Sequence, residues 1–436
     1  MKSAREQVVE IIDKFYSTNL DLKTIQTNYF KQYSINSLDR NRIVVLSREI
    51  LRWKGRLDSI IKNYLNHSIA KLQSQLLVLL ELATYELIID NKVPNYAAIN
   101  STVEIVKKKF NKRTAGLVNA VLRKVSADNI NKKPDYCKDF EWYSHPKWLF
   151  EKWIMQFGEK RTRQLCDYYN LPVPLTIRRN AYKIDHANFL GKIEAIDIQI
   201  SSIKNSNCFY NVNSGGTSLL NHLLFLDGYC SFQDRAAGAI VEILDPQPNE
   251  IILDVCCAPG TKTNYISELM QNTGKIFASD IDMERVNISK KDEVRSKSNN
   301  IVWGVKDAAK ESFPMADRVL VDAPCTGTGV IGRRPDIKWR RQPKHLFRIV
   351  ELQKSILNNV YQFVKPGGIL IYATCSLEEE ENWQVAEAFL KLHDDFKVLS
   401  IDNAELKQFI DEKGALKTFP PKNKMDGMFA VKMIRE

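Results

Sequence analysis

Long apolar runs are missing from this 436-residue sequence. The most apolar stretch, LLVLLELATYELII, is too short to cross a bilayer and carries Glu81 and Glu86, so no transmembrane segment and no membrane partner are expected. The opening residues, MKSAREQVVEII, have neither an apolar core nor a small-residue cleavage site. A cytoplasmic protein is the resulting expectation. Its eight cysteines, at 137, 166, 208, 230, 256, 257, 325 and 375, form no CxxC pair and have few histidines nearby. A disulfide scaffold is excluded in a chain this long, no metal site is expected, and the thiols should be reduced. Internal repeats, low-complexity segments and dimer motifs are also lacking, and a monomer is expected.

What is present is ordinary for a soluble protein, with 44% apolar and 26% charged residues. The length predicts two or three domains. The net charge of +11 is unevenly placed. Residues 1–130 hold 21 Lys and Arg against 12 Asp and Glu, or +9, whereas the remainder carries only +2. A polyanion partner for the first part accounts for this asymmetry, as does a merely solvated basic surface.

Residues 1–130 read as helices, because segments such as RIVVLSREILRWKGRLDSIIKNYL repeat apolar residues every three or four positions. A linker and a small α/β subdomain are expected over 131–245. Ser144 is a candidate helix cap there and Pro146 a first-turn residue, with Trp142, Trp148 and Trp153 as core candidates. From 246 to 436 short apolar strands alternate with helices: EIILDVCC, KIFASDID, NIVWGVKD, DRVLVDAP and GGILIYATC, then FKVLSI and FAVKMI. This alternation predicts a parallel sheet covered on both faces, with ligands at the carboxyl ends of its strands.

The chemistry-bearing residues fall at those ends. LDVCCAPGTKT joins a strand to a glycine turn and a helix N-terminus, a setting for a polar ligand. It matches neither the dinucleotide GxGxxG pattern nor the phosphate-binding GxxxxGK[ST] pattern. Asp280-Ile281-Asp282 ends the next strand, where a carboxylate accepts two ribose hydroxyls, and Asp307 ends the third, within reach of an exocyclic amine. Each alone is a turn former; three acids at successive strand ends point to an adenosine-type cofactor. The fourth strand delivers Asp322-Ala323-Pro324-Cys325 and the fifth Thr374-Cys375-Ser376, so both thiols should face one crevice. Ser376 and Glu379 match an S-x-x-E capping box, which predicts that the glutamates of CSLEEEEN form a first helical turn. Such a helix end lowers a thiol pKa, while the glutamates oppose it.

CCAPGTKT, DAPCTGTGVIGRRPDIKW and YATCSLEEEEN closely resemble the motifs of S-adenosylmethionine-dependent RNA cytosine-5 methyltransferases. The helical N-terminal region resembles a NusB-type RNA-binding module. The pairing resembles the bacterial small-subunit (16S) ribosomal RNA methyltransferase B family (Sun/Fmu type) over nearly the whole chain. The resemblance implies an all-α N-terminal domain, an α/β Rossmann-like class I methyltransferase domain, and a small α/β insertion between them. It implies S-adenosylmethionine as cofactor, held by Cys256, Cys257, Ala258, Pro259, Gly260, Thr261 and Lys262, with Asp280 on the ribose, Asp307 near the adenine and Asp322 by the reacting groups. It implies Cys375 as nucleophile and Cys325 as the thiol that releases product, with Asp322 and Lys262 in the catalytic set. Two positions depart from the family pattern: Cys257 replaces an alanine and Thr261 a glycine. Threonine is costly if that position requires a positive φ.

The chemistry gives its own reason for a thiolate. Carbon 5 of cytosine is a poor nucleophile until a thiolate adds at carbon 6. A carboxylic acid such as Asp322, protonated or sharing a proton with N3, stabilises the adduct, and a base must remove the carbon 5 proton. Lys262 orients the base or carboxylate, or is an exposed first-turn lysine. The run from Arg333 to Arg348 holds seven basic residues and one acid, Asp336. Arg333, Arg334, Lys338, Arg340 and Arg341, interleaved with Trp339, suit phosphate contact and stacking; an ordinary charged helix is the alternative. The target base must leave its stack to reach a thiol. Two other functions compete: a DNA cytosine-5 methyltransferase, in which a PC-motif cysteine attacks, and a non-catalytic RNA-binding or antitermination factor. An adenine N6-methyltransferase is disfavoured because DAPC stands where [ND]PP[YF] is expected.

Overall fold

A computed structural model describes residues 2–90, 92–128, 130–204 and 206–436. The chain divides into two compact units, Met1–Pro172 with Ile331–Gln342, and Val173–Val330 with Pro343–Glu436. The expected middle piece, 131–245, is therefore divided: its helices Lys147–Phe157 and Glu159–Asn170 lie in the first unit and its strands in the second.

The first unit is helical, as its periodicity predicts. Ala4–Ser17 starts at a capping box in which the Ser3 hydroxyl accepts from Glu6 N and the Glu6 carboxylate accepts from Ser3 N. Ser37–Tyr64 is capped by Asn36 and buries Ile43, Leu46, Ile50, Leu57 and Ile61, one face of a helix about 40 Å long. Ser74–Ile88 is buried nearly all round. Its Glu81 is neutralised from within the unit, since Lys54 lies 2.9 Å away and the Tyr16 hydroxyl donates to both carboxylate oxygens. Among the described residues no helix is long and apolar enough to cross a membrane. Ser144 does not cap a helix: it sits at φ 56°, and its hydroxyl accepts from Gly55 N instead. Pro146 takes the N-cap position of Lys147–Phe157, and Trp153 is fully buried.

The segment Ile331–Gln342 corrects part of the expected RNA interface, because it is built into the helical unit. Lys338 is fully buried, and its ammonium donates to the Arg52 carbonyl at 2.8 Å. The Trp339 indole donates to the Leu51 carbonyl at 2.6 Å and packs on the helical core. The Arg340 guanidinium stacks over Phe15 at 3.5 Å and donates to the Leu20 carbonyl. Arg52 in turn donates to the Gly332 carbonyl. Lys338 and the Trp339 indole N–H are thus spent on internal contacts, because the segment closes the end of a helical core with backbone carbonyls to satisfy. Arg334 remains exposed, with Asp21 at 3.6 Å; Arg333 and Arg341 are half-buried.

The second unit holds two sheets. β1 (Leu175–Arg179), β2 (Gln199–Ser202), β3 (Phe209–Ser214) and β4 (Cys230–Phe232) pair antiparallel in the order β2-β3-β1-β4. The larger sheet contains β5 (Ile251–Asp254), β6 (Lys275–Asp280), β7 (Ile301–Val305), β8 (Ala316–Asp322) and β9 (Val364–Thr374). These five are parallel, in the spatial order β7-β6-β5-β8-β9. β10 (Phe396–Val398), β11 (Leu416–Lys417) and β12 (Phe429–Arg435) add antiparallel to the β9 side. The sheet is therefore mixed rather than all parallel. The chain runs outward from β5 through β7 and returns to β8 on the other side, which makes the ends of β5 and β8 the switch point where ligands bind.

Two outcomes follow for the buried segment. Burial, with the neighbouring Arg52 charge, holds the Lys338 pKa well below its usual value near 10.5. A lysine depressed in the fold gives up stability as pH falls below 10.5. Lys338→Met is expected to match or exceed the wild-type urea midpoint at pH 7, with the gain shrinking towards pH 10, and to leave RNA affinity unchanged. Trp339→Ala is expected to destabilise the chain by about 3 kcal/mol, read from the same denaturation curves.

Candidate active site

β5 ends in a turn whose shape depends on one glycine. Gly260 has φ 88°, and a Cβ there would meet Ser289 Cβ at 2.9 Å and Trp303 at 3.0 Å. Thr261 is the first residue of the helix Thr261–Leu269, so its departure from glycine falls where no positive φ is required. Cys257 is buried, its N–H donates to the Ser279 carbonyl, and its own carbonyl accepts from Gly260 N at 2.7 Å.

Acids surround this turn. The Asp280 carboxylate accepts from Ala258 N at 3.2 Å and Asp282 N at 3.1 Å, with Arg285 at 3.3 Å. Asp254, unremarked in the sequence, is almost wholly buried: one oxygen accepts from Thr263 Oγ1 at 2.7 Å, and the other has no hydrogen-bond partner. Burial pushes its carboxyl up to about 7, against the Thr263 bond, and the nearby Asp322 charge adds to the rise. A buried acceptor left unmatched at a strand-end turn suits a ligand that brings hydrogen-bond donors. Asp307 lies just beyond β7, where its carboxylate accepts from Ala309 N and pairs with Lys310 at 3.2 Å, the behaviour of a turn former.

The remaining candidates meet at the ends of β8 and β9. Lys262 Nζ stands 2.6 Å from Asp322 Oδ2. Burial opposes the Lys262 ammonium, but the Asp322 carboxylate outweighs it and holds its pKa above the ordinary value. Lys262 is therefore a charged partner of Asp322 and not an exposed first-turn lysine. The Cys325 and Cys375 sulfurs are 3.2 Å apart, and Cys375 N lies 3.3 Å from the Cys325 sulfur. Contact with the Cys375 sulfur, reinforced by burial and by the Glu381 charge, raises the Cys325 pKa well above that of a free thiol. The Cys375 carbonyl accepts from Gly329 N at 2.9 Å, and a Cβ on Gly329 would fall 1.9 Å from the Gly427 carbonyl.

The expected capping box is overturned. The helix after β9 starts at Trp383, so Ser376 and Glu379 open no helical turn and no helix N-terminus sits at Cys375. Residues 375–382 instead fold as a turn with Glu378 and Glu381 buried. The Glu381 carboxylate accepts from Thr326 N at 2.7 Å and Gln353 Nε2 at 3.1 Å, and also from the Thr326 and Ser376 hydroxyls. The Tyr372 hydroxyl donates to its carbonyl at 2.6 Å. Asp254, Gln353 and Glu381 are the participants that sequence reasoning missed. For Glu381 the signal was four consecutive glutamates after a buried strand, read as the first turn of a capped helix.

The pairing of a helical region with this sheet has known counterparts. Residues 241–434 match the model of the 16S rRNA methyltransferase RsmB/F family, residues 2–127 that of the NusB family, and residues 145–208 a ferredoxin-like domain of RsmF/B-like methyltransferases. The probable ribosomal RNA small subunit methyltransferase B of Bacillus subtilis is 31% identical over 99% of this chain and 97% of its own. A crystal structure of PH0851 shares the fold over 99% of this chain and 98% of its own, with TM-score 0.81 and 24% identity. A methyltransferase homolog from Pyrococcus horikoshii, 27% identical, superposes with TM-score 0.60 over 68% of this chain and 97% of its own. The two cysteine-bearing turns, the helical region and the full-length similarity carry one conclusion: the chain belongs to the 16S rRNA methyltransferase RsmB/F family.

Proposed function

We propose that the chain transfers a methyl group to carbon 5 of a cytosine in 16S ribosomal RNA through a covalent Cys375 adduct. The observation that carries this reading is the pair of sulfurs 3.2 Å apart, beside the Lys262–Asp322 ion pair, at the strand ends next to the switch point. The names of the relatives support ribosomal RNA as substrate. The Cys375 thiolate adds at carbon 6, forming a C–S bond and moving the double-bond electrons to carbon 5. S-adenosylmethionine, when bound, supplies the electrophilic methyl carbon that accepts this pair as the methyl–sulfur bond breaks. Asp322 takes up the N3 edge of the base through a shared proton, and Lys262 keeps that carboxylate in place. A base then removes the carbon 5 proton, the C–H electrons restore the double bond, and the Cys375 thiolate leaves. Cys325, held as a thiol beside the nucleophile, assists that release.

In this reading the cofactor lies on the turn from Cys256 to Lys262. Asp280 receives the ribose hydroxyls, Asp307 faces the adenine, and the open Asp254 oxygen takes a further donor. Arg333, Arg334 and Arg341 remain as phosphate contacts.

Cysteine substitution separates the roles. Cys325→Ala is expected to accumulate a covalent RNA–protein adduct on denaturing gels, and Cys375→Ala to lose both adduct and methylation. The reverse pattern would exchange the two assignments. Labelling of DNA but not RNA with radioactive cofactor would replace the whole reading with a DNA enzyme. Asp280→Ala is expected to weaken cofactor binding by about tenfold or more in calorimetry, the loss of hydrogen bonds to a charged acceptor.

A further inference from the structure

We propose that Glu381 is a positioning residue that clamps the Cys325 turn to the Cys375 turn and so sets the geometry of the thiol pair. The inference rests on the reading of both cysteines as reacting groups. Glu381 acts through the neighbours of the two sulfurs. Thr326, which follows Cys325, gives it a backbone N–H at 2.7 Å and a hydroxyl. Ser376, which follows Cys375, gives it a second hydroxyl. Gln353 on the helix Pro343–Val360 donates to it at 3.1 Å and to the Pro324 carbonyl at 2.9 Å, so both flanks of Cys325 are held by one network.

The chemistry at position 381 is specific. The carboxylate is fully buried and every group aimed at it is a donor. Only an acceptor-only side chain matches that arrangement. Glutamine has the same shape but would turn an NH2 group towards a donor, leaving buried polar groups unmatched. The negative charge has a second effect. After contact with the Cys375 sulfur and burial, the Glu381 carboxylate is the charged group that raises the Cys325 pKa. Lys262 instead faces Asp322 and Cys375. The anion therefore adds to what disfavours a thiolate on Cys325. Simple structural glue would hold the fold but leave the order of thiol reactivity untouched.

The test uses the full chain with Glu381→Gln and Thr326→Val. Alkylation of Cys325 and Cys375 by iodoacetamide is followed from pH 6 to 9 by mass spectrometry, together with methylation kinetics on RNA and thermal melting. Glu381→Gln is expected to fold with cofactor affinity unchanged and to shift Cys325 alkylation to lower pH, by about tenfold in rate at pH 8. Its kcat should fall by about 100-fold with KM for RNA little changed, as for a misplaced reacting group. Thr326→Val, which keeps the charge and removes one donor, should lower kcat by about tenfold without the alkylation shift. A folded Glu381→Gln with wild-type alkylation profiles and kcat overturns the proposal. If that variant does not fold, an unchanged kcat in Thr326→Val overturns it equally. Should the wild-type chain methylate no RNA, the proposed function fails by itself, and the alkylation profiles still decide whether Glu381 governs the thiol pair.

Discussion

The parallel register of β8 with β9 governs the rest of the site. Asp322 pairs with Ala373, and Ala323 N donates to the Ala373 carbonyl at 2.8 Å. That alignment ends both strands at one level, so the turns carrying Cys325 and Cys375 leave the sheet side by side. A slip of one residue would reverse which side chains face the core and carry one sulfur away from the other. The register is held by burial on both faces, since Val319, Leu320, Val321, Leu370, Ile371 and Tyr372 are all fully enclosed. The proximity of the thiols is thus a consequence of core packing and not of any local preference of the turns.

Close approach of backbones completes the arrangement. Gly329 and Gly427 meet where no side chain fits, with Gly427 N donating to the Gly329 carbonyl at 2.9 Å. The Glu381 carboxylate is enclosed with four donors, a costly group unless its partners are present. The same economy of buried charge appears in the helical unit, where Glu81 is matched by Lys54 and Tyr16. Both carboxylates join segments distant in sequence, Glu381 to Thr326 and Glu81 to Tyr16.

Much of this was legible in the residues. Apolar periodicity located the helices of 1–130, because burying one face of a helix leaves a 3.6-residue trace. The motifs placed both thiols and the Lys262–Asp322 pair near strand ends, because an open α/β sheet presents its connecting turns there. Three readings failed for a common reason. Ser376 and Glu379 satisfied a capping pattern but precede the helix, which starts at Trp383. Lys338, Trp339 and Arg340 looked like a nucleic-acid face but close a helical core. Residues 131–245 looked like one piece but are shared between two units. In each case the local pattern was sound and the partner lay far along the chain.

The sequence by itself determined which groups are available: two thiols, a lysine and a series of acids, each placed by a motif at a strand end or helix start. Local propensity and side-chain chemistry depend on few neighbouring residues, so a linear reading suffices for them. Only the tertiary structure decided which charges are buried, which sulfurs touch and which carboxylate holds them, since Glu381 and Thr326 are 55 residues apart. Burial and hydrogen-bond partnership are properties of space around a residue, and a linear pattern carries no distance between segments that meet only on folding.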